Sequence, residues 1–229
     1  MLRIVFAMGM MLLGAAADDL AKIKAEYAKQ DKALNEVYQR IKKGLQPELF
    51  EKVQIDQRKW VEYRTYMSDW EARGKDAETS PDRWETAAGL TEARVEWLEA
   101  WLKKDNRKGW EGYYSDSYGG HLKIAQKNGK NWFFVEVVRG PTYHSGGLDG
   151  EFRINGNTGW FELELEYDGG VTWMTFLKAD DGSAQIKVIG ENTTLFHGAR
   201  AYFSGDYLWI GELSEEDRIE VIEGTEYSD

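Results

Sequence analysis

Cysteine is missing from this chain, which excludes disulfides, thiol catalysis and attachment as a lipoprotein. Histidine is nearly missing too. His121, His144 and His197 show no metal-ligand spacing of the H-E-x-x-H kind, so no metal is expected. There is no G-x-S-x-G elbow, no G-x-x-x-x-G-K loop and no dinucleotide fingerprint. Neither an enzyme nor a bound cofactor is indicated. Proline occurs three times, and two of the three, Pro47 and Pro81, stand where a helix would open. Basic residues are in deficit, with 29 Lys and Arg against 40 Asp and Glu, a net charge of −11. That balance argues against nucleic acid and anionic membrane surfaces and suits a cationic partner.

Beyond the first residues no apolar run could cross a bilayer. The opening stretch, MLRIVFAMGMMLLGAAADD, has Arg3 in a short leading region, about a dozen apolar residues, and Ala15-Ala16-Ala17 before two acids. It reads as a signal peptide cleaved after Ala17. The mature chain would lose Arg3 and carry −12, and would be periplasmic or secreted.

What is abundant is aromatic and apolar: 42% hydrophobic residues, with ten Trp and twelve Tyr. A packed core is easily built. Periodicity changes near Asn106. Before it the spacing is helical, and after it alternation and Gly-centred turns take over. The expected fold is α+β: an N-terminal antiparallel three-helix region, then a seven- or eight-stranded antiparallel β-barrel-like domain. The expected bounds are 1–17 for the leader, 18–105 for the helical region, 109–213 for the β domain and 214–229 for an acidic solvated tail.

Helix one is expected over Asp19–Lys43, with Asp18 and Asp19 at its start and Gly44 closing it. Helix two opens at Pro47 and runs toward Gly74. Helix three has Ser80 as its cap and Pro81 in first position. On it, Trp84 and Trp101 fit the apolar stripe. Trp97 falls off the stripe and reads as an exposed ring. In the β part, Asn128-Gly129 marks a hairpin between HLKIAQ and NWFFVEVV. Gly-x-Tyr recurs in the first strand (Gly112–Tyr114) and the last (Gly205–Tyr207), as two strands closing a barrel could have it. In WFELELEY, alternation sends Glu162, Glu164 and Glu166 opposite Phe161, Leu163, Leu165 and Tyr167.

Helices one and two put polar residues on their apolar stripes. If the two are antiparallel, one register pairs Asp31 with Arg64, Asn35 with Trp60 and Tyr38 with Gln57. A charged pair in such a seam adds little net stability but opposes slipped registers. The pattern D-x-x-L-N-x-x-Y (Asp31, Leu34, Asn35, Tyr38), then Q-x-x-W-x-x-x-R (Gln57, Trp60, Arg64), resembles the N-terminal module of the LprI-type lysozyme inhibitor family over residues 19–70. The resemblance implies envelope localisation and inhibition of lysozyme. In that family cysteines flank the hairpin, one of them four residues beyond the arginine. Here that position is Ser68.

The segment HGARAYFSGDYLWIGEL is loosely similar to the last hairpin of MliC-type lysozyme inhibitors through Gly198, Tyr202, Trp209 and Gly211. Their inhibitory serine would fall at His197 and their lysine at Ile210. Among the strand connections, RGPTYHSGG offers Arg139, Tyr143 and His144 with turn-forming Gly and Pro, and is the candidate binding loop. The expected function is a non-enzymatic, exported envelope protein that binds and inhibits lysozyme. The expected partner is a cationic protein such as lysozyme, with peptidoglycan fragments as a further candidate. The alternatives are a periplasmic glycan- or peptide-binding module, or a scaffold in an envelope complex.

Overall fold

The computed structural model describes residues 2–74, 76–103, 109–165 and 170–224, the first sixteen of these by backbone alone. The expected cleavage point after Ala17, the core of the polar connector at 104–108, and Glu166 and Tyr167 lie outside the residues described with side chains. The chain forms two units, Met1–Leu98 and Glu99–Asp229.

Three helices build the first unit: α1 (Leu2–Gly44), α2 (Pro47–Glu71) and α3 (Pro81–Ala100). α1 starts well before Asp19. The first seventeen residues are rich in Leu, Met and Ala and hold no proline, so nothing stops the helix and both acids lie inside it. Gly44 ends α1, and Pro47 opens α2 with its preset φ. Ser80 caps α3, its Oγ accepting the Arg83 N–H at 3.4 Å. Cross-helix pairs fix the directions. Asp31 meets Arg64 and Tyr38 meets Phe50, so α1 and α2 are antiparallel. Asp69 meets Arg83 and Gln57 meets Arg94, so α2 and α3 are antiparallel as well. Leu34, Val37, Ile41, Val53, Trp60 and Leu98 are buried in this unit.

The second unit is a closed, up-and-down antiparallel barrel of eight strands. They are β1 (Gly112–Ser115), β2 (Gly120–Lys127), β3 (Lys130–Arg139), β4 (His144–Asn155), β5 (Thr158–Glu164), β6 (Val171–Lys178), β7 (Gln185–Glu191) and β8 (Gly205–Gly211). β1 and β8 pair, Tyr113 lying opposite Gly211 and Tyr114 opposite Trp209, so the two Gly-x-Tyr strands do close the barrel. Asn128 and Gly129 both take positive φ, 53° and 78°, as a two-residue hairpin turn requires.

The barrel interior is solid. Phe133, Phe152, Phe161 and Phe176 pack ring to ring, Phe133 and Phe176 with centroids 4.9 Å apart. Glycine makes room for them: a Cβ on Gly150 would come within 2.4 Å of Phe161. Any functional surface of the barrel is therefore at its rim or on its outside.

The end of the chain corrects one expectation. Residues 215–223 are no solvated tail but a helix, α4 (Glu215–Glu223), capped by the Ser214 side chain on the Asp217 N–H. α4 lies on the outer face of β2 and β3, where Val221 is buried against Ala125 and Phe134. Lys123 bridges to Asp217 and Glu220, and Arg218 grips Glu111 with both guanidinium arms.

Candidate functional site

In the helical unit the polar residues of the stripe turn inward to one another. Arg64 donates through one Nη to Asp31 Oδ1 at 3.0 Å and to the Thr91 hydroxyl at 3.1 Å. The expected Asp31–Arg64 pair is thus formed. The other two expected pairs are not what the seam is built on. Gln57 accepts from Arg94 Nε at 2.9 Å, Tyr38 lies against Phe50, and Asn35 donates back to the Asp31 carbonyl of its own helix.

Arg94 is the residue that sequence reading missed. It is fully buried, bonds Asp56 at 2.6 Å, and sets its guanidinium 4.0 Å from the ring centre of Trp97 and 5.3 Å from that of Trp60. Trp97 is therefore buried under Arg94, not exposed. The spacing Thr91, Arg94, Leu98 sets Arg94 on one helical stripe with two residues that are themselves fully buried, and that spacing was the available signal. Arg64 lies 5.2 Å from the Trp60 ring centre, so that indole contacts two guanidiniums. Ser68 is buried too, and donates to the Arg64 carbonyl at 2.6 Å. These contacts hold α1, α2 and α3 together.

In the barrel, the structure brings the two singled-out segments together at one rim. Gly198 N–H donates to the Ser145 carbonyl at 2.9 Å, and Gly146 bridges to His197. The β3–β4 turn and the loop before β8 thus lie side by side. The three candidate binding residues part company here. Arg139 is buried, with its guanidinium 2.6 Å from Asp116, donating to the Tyr118 carbonyl at 2.9 Å and more weakly to the Tyr207 hydroxyl and the Tyr202 carbonyl. It is an anchor under the rim and is not presented to a partner. Tyr143, by contrast, is 55% exposed, and His144 is half-buried beside Gly198.

Electrostatics agree with the anchoring role. Burial works against the Arg139 charge, but the Asp116 carboxylate outweighs it and keeps the guanidinium ionised. Burial also pushes the Tyr207 phenol far above its ordinary value, so it stays a donor, giving its proton to the Phe203 carbonyl at 2.8 Å. Asp116 was missed in the sequence. Its Oδ1 takes the Tyr118 and Gly120 N–H groups, a local turn that the run Asp116-Ser117-Tyr118-Gly119-Gly120 could have announced.

Above this anchor the rim exposes Tyr202, whose ring covers the Arg139 guanidinium at 4.7 Å, together with Leu195 and Tyr143. His197 is tied to Thr193 at 3.0 Å and edge-on to Phe203. Ile210, the other position of the MliC-type likeness, lies toward the opposite end of β8, so the two positions do not converge. Among the described residues no group of His, Asp and Glu is placed to hold a metal.

The geometry defines a helical module joined in sequence to a closed, filled barrel whose exposed features are loops and outer faces. A family model described as Lysozyme inhibitor LprI matches residues 14–98. The likeness therefore covers the helical unit, and the barrel lies outside it. No curated protein and no solved structure matches the chain. From Asp18 onward, among the described residues, no helix is long and apolar enough to cross a membrane.

Proposed function

We propose that this chain is an exported envelope protein that binds and inhibits lysozyme and has no catalytic activity of its own. The observation that carries the reading is the match of residues 14–98 to the LprI lysozyme inhibitor family. The acidic charge supports it, because a strongly basic enzyme is steered toward an acidic partner. The barrel rim supports it as well. Exposed Tyr143, Tyr202 and Leu195 and half-buried His144 lie on one rim, over the buried Arg139–Asp116 pair. Export through cleavage after Ala17 belongs to the same reading.

The test uses protein produced in a secreting host from the complete sequence. The mass of the product reports whether processing occurred after Ala17. Hydrolysis of peptidoglycan by animal-type lysozyme is then followed with and without it, at low and moderate salt. Inhibition that saturates at one-to-one and persists at moderate salt supports the reading, since unspecific attraction is screened. No inhibition at tens of micromolar defeats it.

A second reading, a glycan-binding module, draws on α2. Tyr66 and Trp70 lie one turn apart and are both half exposed, the usual make-up of a stacking platform for sugar rings. Trp quenching by peptidoglycan fragments that survives high salt, without inhibition, favours that reading.

A further inference from the structure

Among the described residues, the outside of the barrel carries one apolar patch that α4 covers and another that it does not. On β2 and β3 the outward residues Ala125, Phe134 and half-buried Trp132 lie under α4 and Leu213. Ion pairs flank that contact: Lys123 with Asp217 and Glu220 on one side, Glu111 with Arg218 on the other. The barrel thus already docks one segment through an apolar centre bordered by charge.

The second patch lies on β5, β6 and β7. Phe161, Met174, Phe176, Ile186 and Val188 of these strands point into the core, so alternation sends Trp160, Glu162, Trp173, Thr175, Leu177, Lys187, Ile189 and Glu191 outward. The pairing register sets them in rows. Trp160, Thr175 and Ile189 form one row, and Glu162, Trp173 and Glu191 the next. Trp173 is 40% exposed and Leu177 36%. A tryptophan on the outside of a filled barrel gains nothing from the core, and large aromatics in such positions dominate protein–protein contacts.

Charge identifies the occupant. Trp173 has a glutamate directly across on both neighbouring strands, and Glu164 follows at the end of β5. Two bases border this face, Arg153 of β4 opposite Trp160 and Lys187 opposite Leu177. Arg153 reaches Glu162 only at 3.4 Å, and that pair is exposed, so it neutralises little of the row. We propose that the outer face of β5, β6 and β7, centred on Trp173 between Glu162 and Glu191, is a docking surface for a cationic protein. The proposal builds on the lysozyme reading, to which it adds the surface, but its chemistry requires only a basic partner with an apolar centre. Of the two rows, Glu162–Trp173–Glu191 is the nearer to the rim that carries Tyr143 and Tyr202, because β5 and β7 end, and β6 begins, where β3 ends and β4 begins.

The experiment measures binding of the purified protein to two basic proteins, animal-type lysozyme and pancreatic ribonuclease. The variants are Trp173→Ala, Glu162→Gln with Glu191→Gln, and Tyr143→Ala as a rim control. All substituted side chains face outward or are exposed, and unchanged denaturant midpoints verify folding. The expected result is at least tenfold weaker lysozyme binding for Trp173→Ala and for the double glutamine variant, the latter with a flatter salt dependence. Lysozyme binding that is equal in wild type and in both face variants overturns the docking surface while leaving the lysozyme reading intact. If lysozyme does not bind at all, the lysozyme reading fails. Ribonuclease binding that is lost with Trp173→Ala then supports the surface, and absence of binding to both proteins overturns it too.

Discussion

Arg139 and Asp116 form a buried ion pair, 2.6 Å apart with side chains 4% and 7% exposed, at the rim where β1, β3 and the loop before β8 meet. Its surroundings satisfy both charges. Backbone N–H groups of Tyr118 and Gly120 complete the carboxylate, and the carbonyls of Tyr118 and Tyr202 complete the guanidinium. A pair so enclosed contributes little over an apolar replacement, but losing one member strands the other. Arg139→Ala or Asp116→Ala should therefore destabilise the barrel by about 3–5 kcal/mol. Tyr143→Ala, four residues after Arg139 and exposed, should stay within about 0.5 kcal/mol of wild type. Denaturant unfolding of the three variants checks the contrast.

In the helical unit the order of importance follows burial. The Arg94 side chain is fully buried and that of Arg64 is 13% exposed, while their carboxylate partners, Asp56 and Asp31, keep 34% and 37% of their side-chain surface in water. Arg94→Ala takes the donor from Gln57, uncovers Trp97 and leaves a cavity where a fully buried side chain stood, so it should cost about 2–4 kcal/mol. Arg64→Ala should cost less, about 1–2 kcal/mol, because the Arg64 side chain is itself partly in water and less buried contact is lost with it. A larger loss at Arg64 than at Arg94 in thermal or denaturant unfolding would contradict this ranking.

His121 gives the barrel a pH dependence of definite sign. Its ring stacks on Tyr113, and Nδ1 lies 2.9 Å from the phenol oxygen. Burial pushes the imidazole below its ordinary value of 6.5; Arg139 and Lys123 add to that, and Glu136 and Asp116 oppose it. The fold therefore favours neutral His121, while the unfolded chain takes up the proton more readily. This stability is present above the unfolded value and is lost as pH falls from there through the folded one. Asp217, held below its ordinary value by Lys123 and Ser214, adds a loss of the same sign at more acidic pH. The unfolding midpoint should fall between about pH 7 and 5, and His121→Phe, which keeps the ring stacked on Tyr113, should flatten that slope.

Much of this architecture was legible in the chain because local signals agreed. Pro47, Pro81 and Ser80 set helix starts, Asn128-Gly129 set a hairpin, and strict alternation around Phe161 set the inner face of β5. The Asp31–Arg64 pair was legible because both residues interrupt an apolar stripe. What failed was whatever depended on a partner distant in sequence. Arg139 reads as a loop cation until Asp116 is placed beside it. Gln57 reads as a partner of Tyr38 until α3 delivers Arg94. Trp97 reads as exposed for the same reason. The rim was half legible: the 139–147 loop and the 197–213 hairpin were each singled out, but their adjacency comes from barrel closure.

The α4 helix supplies the last prediction. Its acidic composition imitates a solvated tail, yet Ser214 followed by Glu215, Glu216 and Asp217 is a capped helix start, and Val221 gives the helix an apolar anchor. Burial disfavours the Lys123 charge, but its hydrogen bonds to Asp217 and Glu220 outweigh that and raise the lysine above its ordinary value. Both carboxylates keep about a third of their side-chain surface in water, so Lys123→Met should weaken the contact only modestly, by about 1 kcal/mol. Val221→Asp is different, since it sets a carboxylate against Ala125 and Phe134, where the neighbouring cation, Lys123, is already paired with Asp217 and Glu220. It should release α4 while β1 and β8 keep the barrel closed. Hydrogen exchange decides the matter: in Val221→Asp the α4 amides should exchange as in a free peptide while the amides of β2 and β3 stay protected. Loss of protection throughout the barrel would instead make α4 an integral part of its fold.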